Sequence, residues 1–366
     1  MTPTPFPSLT FAPDTARLAD ARHSGIVIFG CGNFARDLLR AAGRIGLTVH
    51  GFVVSTGQPT TYANLPVATL ADLPAAWLAL PLWIGVFNHL PSANYAAIRA
   101  TCAQRGFTRV LLPQEYFEAV AAPMGWRYWL TGRTDYAAHE AELRAAFAQL
   151  SDEESRRLLA DTLRFRLGAI ATIPGTPVEA THYFPEFLNG ARSGPLGLVD
   201  AGAYDGDTLA QALTRLPLRE AWAFEPDPLN FARLAERART LPVPTVCFPC
   251  GLSSATASVA FSSGNGEASA IGGDGNMHIQ VVRLDDCLPN ARADYLKFDV
   301  EGHEIEALRG ATALVQRNRP ILAIAGYHRW DDLWRIPAWI ASLGLDYRLS
   351  FRIHTHNSFE AVFYAY

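Results

Sequence analysis

The sequence predicts an α/β protein in two unequal halves: a smaller βαβ domain, a helical connector, and a larger, mainly parallel sheet closed by an antiparallel C-terminal hairpin. Three observations carry this. An apolar strand runs into a glycine turn and then an amphipathic helix twice, at Gly25–Ile45 and again at Gly197–Thr208. Strand and helix patterns alternate after each turn, the order that builds parallel sheets. The last apolar runs, Asp346–Ile353 and Phe359–Tyr366, are separated only by a short polar turn. A chain of 366 residues accommodates two domains. The boundaries are placed at 1–119, 120–189 and 190–366.

The first glycine turn is Gly30-Cys-Gly32-Asn-Phe-Ala35, a G-x-G-x-x-A that lets backbone N–H groups approach a phosphate at a helix N-terminus. A second strand, Val49–Val54, ends at Ser55, where dinucleotide-binding units carry an acid for the ribose. Strands Leu82–Phe87 and Arg109–Leu112, with a helix near Ser92–Arg105, complete a Rossmann-like domain that serves either a nucleotide or packing and dimerisation. In the connector, Tyr136–Leu150 and Asp152–Leu167 read as helices, with Ser151 and Glu154 forming a capping box. Aromatic residues Trp126, Tyr128, Trp129, Tyr183, Phe184 and Phe187 gather there, and Tyr183 and Phe184 are candidates to cover the mouth of the next site.

The second turn is richer in chemistry. Strand Gly197–Asp200 leads into Ala-Gly202-Ala203-Tyr204-Asp205-Gly206-Asp207-Thr208, and a second strand ends at Glu225, followed by Pro226, Asp227 and a helix opened by Pro228. An acid about 20 residues beyond a glycine turn can accept both ribose hydroxyls of an adenosine, in NAD or in S-adenosylmethionine. Three features favour S-adenosylmethionine: Asp200 precedes the first glycine, the phosphate-cradling G-x-G-x-x-G is absent, and Asp205 and Asp207 place negative charge at the helix N-terminus, where it repels a pyrophosphate. Further strands are expected at Thr245–Pro249, Asp294–Val300 and Pro320–Ala325, with helices Glu304–Gln316 and Asp332–Leu343. After the third strand, Ser258–Ser262 and His278–Leu284 replace the usual helix with hairpin-like segments.

Composition narrows the function. A net charge of −4 argues against a dedicated nucleic-acid binder. Apolar runs are too short to span a bilayer, and the first 25 residues lack the basic and apolar regions of a signal peptide. Five scattered cysteines imply no disulfide framework. A soluble, cytoplasmic protein is the expectation. A single lysine, Lys297, stands among 31 Lys and Arg residues.

Several ordered motifs together resemble the FkbM-type methyltransferase family: Asp200–Thr208, Phe224-Glu225-Pro226, Arg283-Leu-Asp285-Asp286, Tyr295-Leu-Lys297-Phe-Asp299-Val-Glu301-Gly302-His303-Glu304, Tyr327-His328 leading to Asp332–Pro337, and the terminal Glu360–Tyr364. The likeness runs from near Tyr183 to the C-terminus. It implies a class I methyltransferase sheet, S-adenosyl-L-methionine as cofactor, S-adenosyl-L-homocysteine as product, and a small-molecule hydroxyl acceptor on a saccharide or secondary metabolite. It implies that Asp200, Gly202, Ala203, Tyr204, Asp205, Gly206 and Thr208 line the methionine end, that Glu225 holds the ribose, and that Leu252 and Ser253 lie near the adenine. The segment Cys250–Ser253 lacks the acid that many methyltransferases place at the adenine turn. Two other readings stand beside this one: an NAD- or nucleotide-sugar-linked enzyme working through the N-terminal domain, and a non-catalytic scaffold. A homodimer formed through the N-terminal domain is the partner reading beside the small-molecule acceptor.

Methyl transfer to an alcohol needs an aligned acceptor and removal of its proton. Period 2 places Lys297 and Asp299 on one face of their strand, with Asp299 at its C-terminal end. Asp299 or Glu301, with His303 or His328, is expected to form the acceptor-side cluster, with Asp299 also close to the cofactor. Lys297 pairs with a buried carboxylate or, with a lowered pKa, helps deprotonate the acceptor. Cys247 and Cys250 have C-x-x-C spacing without a second pair, so no metal is assigned there. His354-Thr-His356 with His328 and the carboxylates is the other metal reading, but the H-x-H pair falls at a turn, and no metal is expected.

Overall fold

The computed structural model describes residues 4–9, 15–57, 60–176, 182–262, 270–271 and 277–366. Residues 1–3 and 10–14 of the stretch tested for a signal pattern lie outside them. The chain forms two compact units that interleave in sequence. One comprises Met1–Ala141, Arg157–Pro177 and Thr355–Phe359, the other Glu142–Arg156, Val178–His354 and Glu360–Tyr366.

The first unit is built on β1 (Ile26–Phe29), β2 (Val49–Val54), β3 (Thr61–Tyr62), β4 (Leu65–Thr69), β5 (Leu82–Ile84) and β6 (Val110–Leu111). Their order is β3-β4-β2-β1-β5-β6, parallel except for β3 against β4. All four residues of β1 are buried, as a central parallel strand covered on both faces requires. Trp83 stacks on Tyr116 at 4.4 Å, and the Tyr116 hydroxyl donates to Ile84 O. The return segments belong here because their polar groups are satisfied here. Arg166 Nε donates to Ser358 Oγ at 2.9 Å, and the Asn357 amide donates to the carbonyls of Asn88 and Ala93.

The second unit carries β7 (Leu196–Ala201), β8 (Leu218–Phe224), β9 (Thr245–Phe248), β10 (Gly251–Leu252), β11 (Ala257–Ser262), β12 (Ala270–Ile271), β13 (Met277–Val282), β14 (Tyr295–Phe298), β15 (Ile321–Ala325), β16 (Leu349–Ile353) and β17 (Ala361–Ala365). The main sheet runs β16-β17-β15-β14-β7-β8-β9, with β17 antiparallel to both neighbours. This is the Rossmann-like methyltransferase sheet with the terminal hairpin that the sequence leads one to expect. Strand order reverses between β7 and β14, so the crevice beyond their C-terminal ends is where an α/β sheet binds ligands. A small second sheet, β10-β13-β11-β12, stands where the chain after β9 shows hairpin rather than helix patterning. Leu198, Ala221, Leu209, Tyr295 and Tyr364 belong to a core cluster on the main sheet.

Several elements differ from their sequence reading. The helix expected over Tyr136–Leu150 is two, Arg133–Ala138 and Glu140–Gln149, interrupted at His139. The next helix, Glu153–Arg166, is capped by Asp152, whose Oδ1 accepts from Ser155 N at 2.8 Å. Ser151 is not its cap: its hydroxyl accepts from Leu349 N, beside the bridge between Leu150 and Leu349. The helix expected over Glu304–Gln316 is also two, Glu304–Arg309 and Thr312–Asn318. It breaks at Gly310, where a Cβ would collide with Ser253 O, and Asp285 starts the second piece by accepting from Ala313 N and Leu314 N. β14 ends at Phe298, so Asp299 is the first residue beyond the strand. All five cysteines are free, and no helix among the described residues is long and apolar enough to cross a membrane.

Candidate active site

The glycine turn after β7 closes tightly on the end of β14. Gly202 has φ +79°, and a Cβ there would collide with Asp299 O, so only glycine permits this approach. The N–H groups of Gly202 and Ala203 donate to Phe224 O, both at 3.0 Å. Tyr204 takes φ +48°, a left-handed conformation uncommon outside glycine, and its N–H donates to Glu225 Oε2 at 2.9 Å. Glu225 Oε1 accepts from Asp227 N at 2.8 Å, and burial pushes this carboxyl up to about 7. Glu225 therefore stands just past β8 with its carboxylate pinned to the glycine turn. Gly206, at φ +85°, opens helix Asp207–Arg215, in which Thr208 is buried. Asp205 is turned toward Arg237, 2.8 Å away.

Beneath the turn lies a buried ion pair. Lys297 and Asp200 are register partners on β14 and β7, and Lys297 Nζ stands 3.1 Å from Asp200 Oδ1. The same ammonium donates to Gly202 O at 2.6 Å and lies 3.7 Å from Asp299 Oδ2. Its own burial disfavours the charge, but Asp200 and Asp299 outweigh that and hold its pKa above the usual lysine value. Burial lifts Asp200 to about 6 against the pull of Lys297. The Asp200 carboxylate thus faces the lysine below the turn.

Beyond β14 the chain makes a sharp loop, with Glu301 at φ +52° and Gly302 at φ +91°. The loop folds over the helix start, where Glu304 Oε1 accepts from Val300 N at 2.9 Å. His328, fully buried just after β15, presents Nδ1 to Glu304 Oε1 at 2.8 Å and Nε2 to Asp299 Oδ1 and Glu301 Oε2, each at 3.5 Å. Burial alone would lower the imidazole pKa; Glu304, Glu301 and Asp299 raise it well above the ordinary histidine value. Burial also drives Glu301 up to about 8, only partly opposed by His328. Around this cluster, Tyr327 donates to Glu360 Oε1 at 3.1 Å, and His182 Nε2 meets Glu360 Oε2 at 3.0 Å. Burial opposes ionisation of Glu360, yet the hydrogen bond from His182 brings it down to about 2. Tyr183 lays its ring 5.1 Å from Lys297 Nζ.

The expected residues thus separate into groups. Lys297, Asp200, Gly202 and Asp299 meet at the base of the crevice, and Asp299, Glu301 and His328 meet beside it. His303 goes elsewhere: its Nε2 is 3.0 Å from Ser253 Oγ, and burial lowers its pKa. It joins Ser253, next to Leu252 of β10, to the loop after β14. His354, from the H-x-H pair, is occupied by the Tyr364 hydroxyl at 2.7 Å. Glu304 and Glu360 escaped the sequence reading as site residues although both lie inside quoted motifs. Their signal was position: each acid directly follows a turn at the end of the sheet that carries the other site residues.

Residues 200–349 match the family model described as the methyltransferase FkbM domain. A stretch of 102 residues is 32% identical to the hexuronic acid methyltransferase AglP of Haloferax volcanii, covering 26% of this chain and 42% of that protein. The fold matches the crystal structure of methyltransferase FkbM from Methylobacillus flagellatus KT with a TM-score of 0.73 at 22% identity, over 98% of this chain and 95% of the other.

Proposed function

Since residues 200–349 carry an FkbM methyltransferase domain, we propose that the protein is an S-adenosylmethionine-dependent O-methyltransferase acting on a hydroxyl of a saccharide or related metabolite. The observation that carries this is the pairing of Glu225 with the Gly202 turn. Glu225 presents a buried carboxylate at the C-terminal edge of β8, each oxygen bonded to one backbone N–H with a lone pair remaining for a ribose hydroxyl. Gly202, lacking a side chain, lets the turn close on the Asp299 backbone at the end of β14. These residues fit an adenosine, and the negative charge of Asp207 in the first turn of the helix suits a sulfonium better than a pyrophosphate, whereas Asp205 is paired with Arg237. The similarity to a hexuronic acid methyltransferase supports a sugar-type acceptor.

The cofactor supplies the activated methyl group; the rest of the task falls to the chain. Gly202, Ala203, Tyr204, Gly206 and Thr208 shape the turn, Glu225 holds the ribose, and Leu252 and Ser253 border the adenine side. Lys297 neutralises Asp200 and fixes the turn through Gly202 O. Asp299 and Glu301 face the acceptor and one of them takes its proton, while His328, held by Glu304, fixes and charge-balances them. The test is transfer of a labelled methyl group to neutral, amino and uronic glycosides, with the product located by NMR. An O-methyl product supports the reading; an N-methyl product restricts it to methyl transfer without oxygen specificity.

A further inference from the structure

Asp299, Glu304 and His328 come from three different segments: the residue after β14, the first residue of helix Glu304–Arg309, and the loop after β15. One ligand-capable atom from each lies within 4.8 Å of the other two. Opposite ligands of a hard divalent cation with bonds of about 2.1 Å are about 4.2 Å apart and adjacent ones about 3 Å. The pair His328 Nδ1 and Glu304 Oε1, at 2.8 Å, lies near that shorter edge, whereas the 3.5 Å to Asp299 Oδ1 is made by the other ring nitrogen, Nε2, and only one of the two can face the ion.

A second observation points to a ligand. Glu304 is 1% exposed, and its Oε2 is shielded from solvent with no hydrogen-bond partner. Asp299 Oδ1 and Glu301 Oε2 are in the same condition. Ionised carboxylate oxygens only accept, and the His328 Nε2 that faces Asp299 and Glu301 stands 3.5 Å from each, at the limit of a hydrogen bond, so the cluster leaves a place for a further donor or a cation. We propose that Asp299, Glu304 and His328 bind a divalent cation of the Mg2+/Mn2+ class on the acceptor side of the site. Oxygen-rich ligation with a single imidazole and no thiolate suits these ions. The cation would draw in neighbouring acceptor hydroxyls and lower the pKa of one of them. Only that role rests on the methyltransferase reading; the cation site rests on the cluster itself. It is not the H-x-H site, since His354 is engaged by Tyr364.

The test is titration of the full chain with Mn2+, followed by electron paramagnetic resonance of the free ion. The proposal predicts about one Mn2+ bound per chain, displaced by Mg2+, with affinity reduced at least about tenfold in Asp299→Asn. That side chain is 23% exposed and the substitution keeps its shape, so the variant should fold; its circular dichroism melt checks this. Glu304→Gln provides the second variant, with the same loss expected. No Mn2+ bound by the wild-type chain, or wild-type binding in a folded variant, overturns the proposal. Calorimetry with S-adenosylmethionine on the same samples keeps the two readings apart: cofactor binding without Mn2+ removes the cation site alone, and Mn2+ without cofactor binding removes the enzyme reading alone.

Discussion

Lys297 Nζ lies 3.1 Å from Asp200 Oδ1, between register partners on neighbouring parallel strands, with both side chains almost wholly buried. The chain's single lysine therefore sits at the point where strand order reverses, joined to the glycine turn through Gly202 O. A compact ammonium reaches one carboxylate, one carbonyl and the edge of Asp299 together. A planar guanidinium presents its donors in a fixed fork and needs more room.

Lys297→Met should destabilise the fold by about 3–5 kcal/mol, because Asp200 is left buried without its partner. Lys297→Arg should lose about 1–3 kcal/mol through overpacking. Urea denaturation measures both. Wild-type stability in the arginine variant would mean that any cation serves there.

Gly202→Ala should weaken cofactor binding and lower the melting temperature together. The added Cβ collides with Asp299 O, and φ +79° is itself unfavourable for alanine. A variant with unchanged melting and unchanged S-adenosylhomocysteine affinity would contradict the close approach of the turn to β14.

Glu225 makes a pH prediction with a definite sign. Burial raises its pKa from an ordinary 4.5 to about 7, so the native state holds this proton more tightly than the unfolded chain. The corresponding stability is fully present below about 4.5 and is lost as pH rises through about 7, to the extent of about 3 kcal/mol. Cofactor affinity should run the opposite way, since only the ionised carboxylate accepts from both ribose hydroxyls. Binding should tighten between pH 6 and 8, and Glu225→Gln should abolish that dependence. Calorimetry across this range reads it directly.

Glu301→Gln and His328→Ala should reduce acceptor-dependent turnover by about 10²–10⁴-fold while leaving cofactor affinity much less affected. Assays of S-adenosylhomocysteine formation beside calorimetry separate the two quantities. Full turnover in both variants would remove these residues from the acceptor side.

Periodicity made much of the second unit legible. The strand–turn–helix signals marked β7, β8 and β14, and alternation placed Lys297 and Asp299 on one face. What lies across from Lys297 was not legible, because a period specifies a face but not the neighbouring strand. The pairing of Asp200 with Lys297 across β7 and β14 was hidden for this reason. The helix breaks at His139 and Gly310 were hidden for a related cause. Local pattern favours a continuous helix, and only the nearby Ser253 carbonyl shows why the chain must yield at Gly310. The turn Thr355–Phe359 reads as a hairpin loop, yet its Asn357 and Ser358 find their partners in the first unit. Glu304 and Glu360 lie far apart in sequence, and their proximity to the cluster comes only from the order of β14, β15 and β17.

The most direct measurement is calorimetric titration of the wild-type chain and Glu225→Ala with S-adenosylmethionine, S-adenosylhomocysteine and NAD. The wild-type chain is expected to bind the first two stoichiometrically and the variant to bind them far more weakly, with no NAD bound in this crevice. Binding of NAD without S-adenosylmethionine, or equal S-adenosylmethionine binding by both chains, would contradict it.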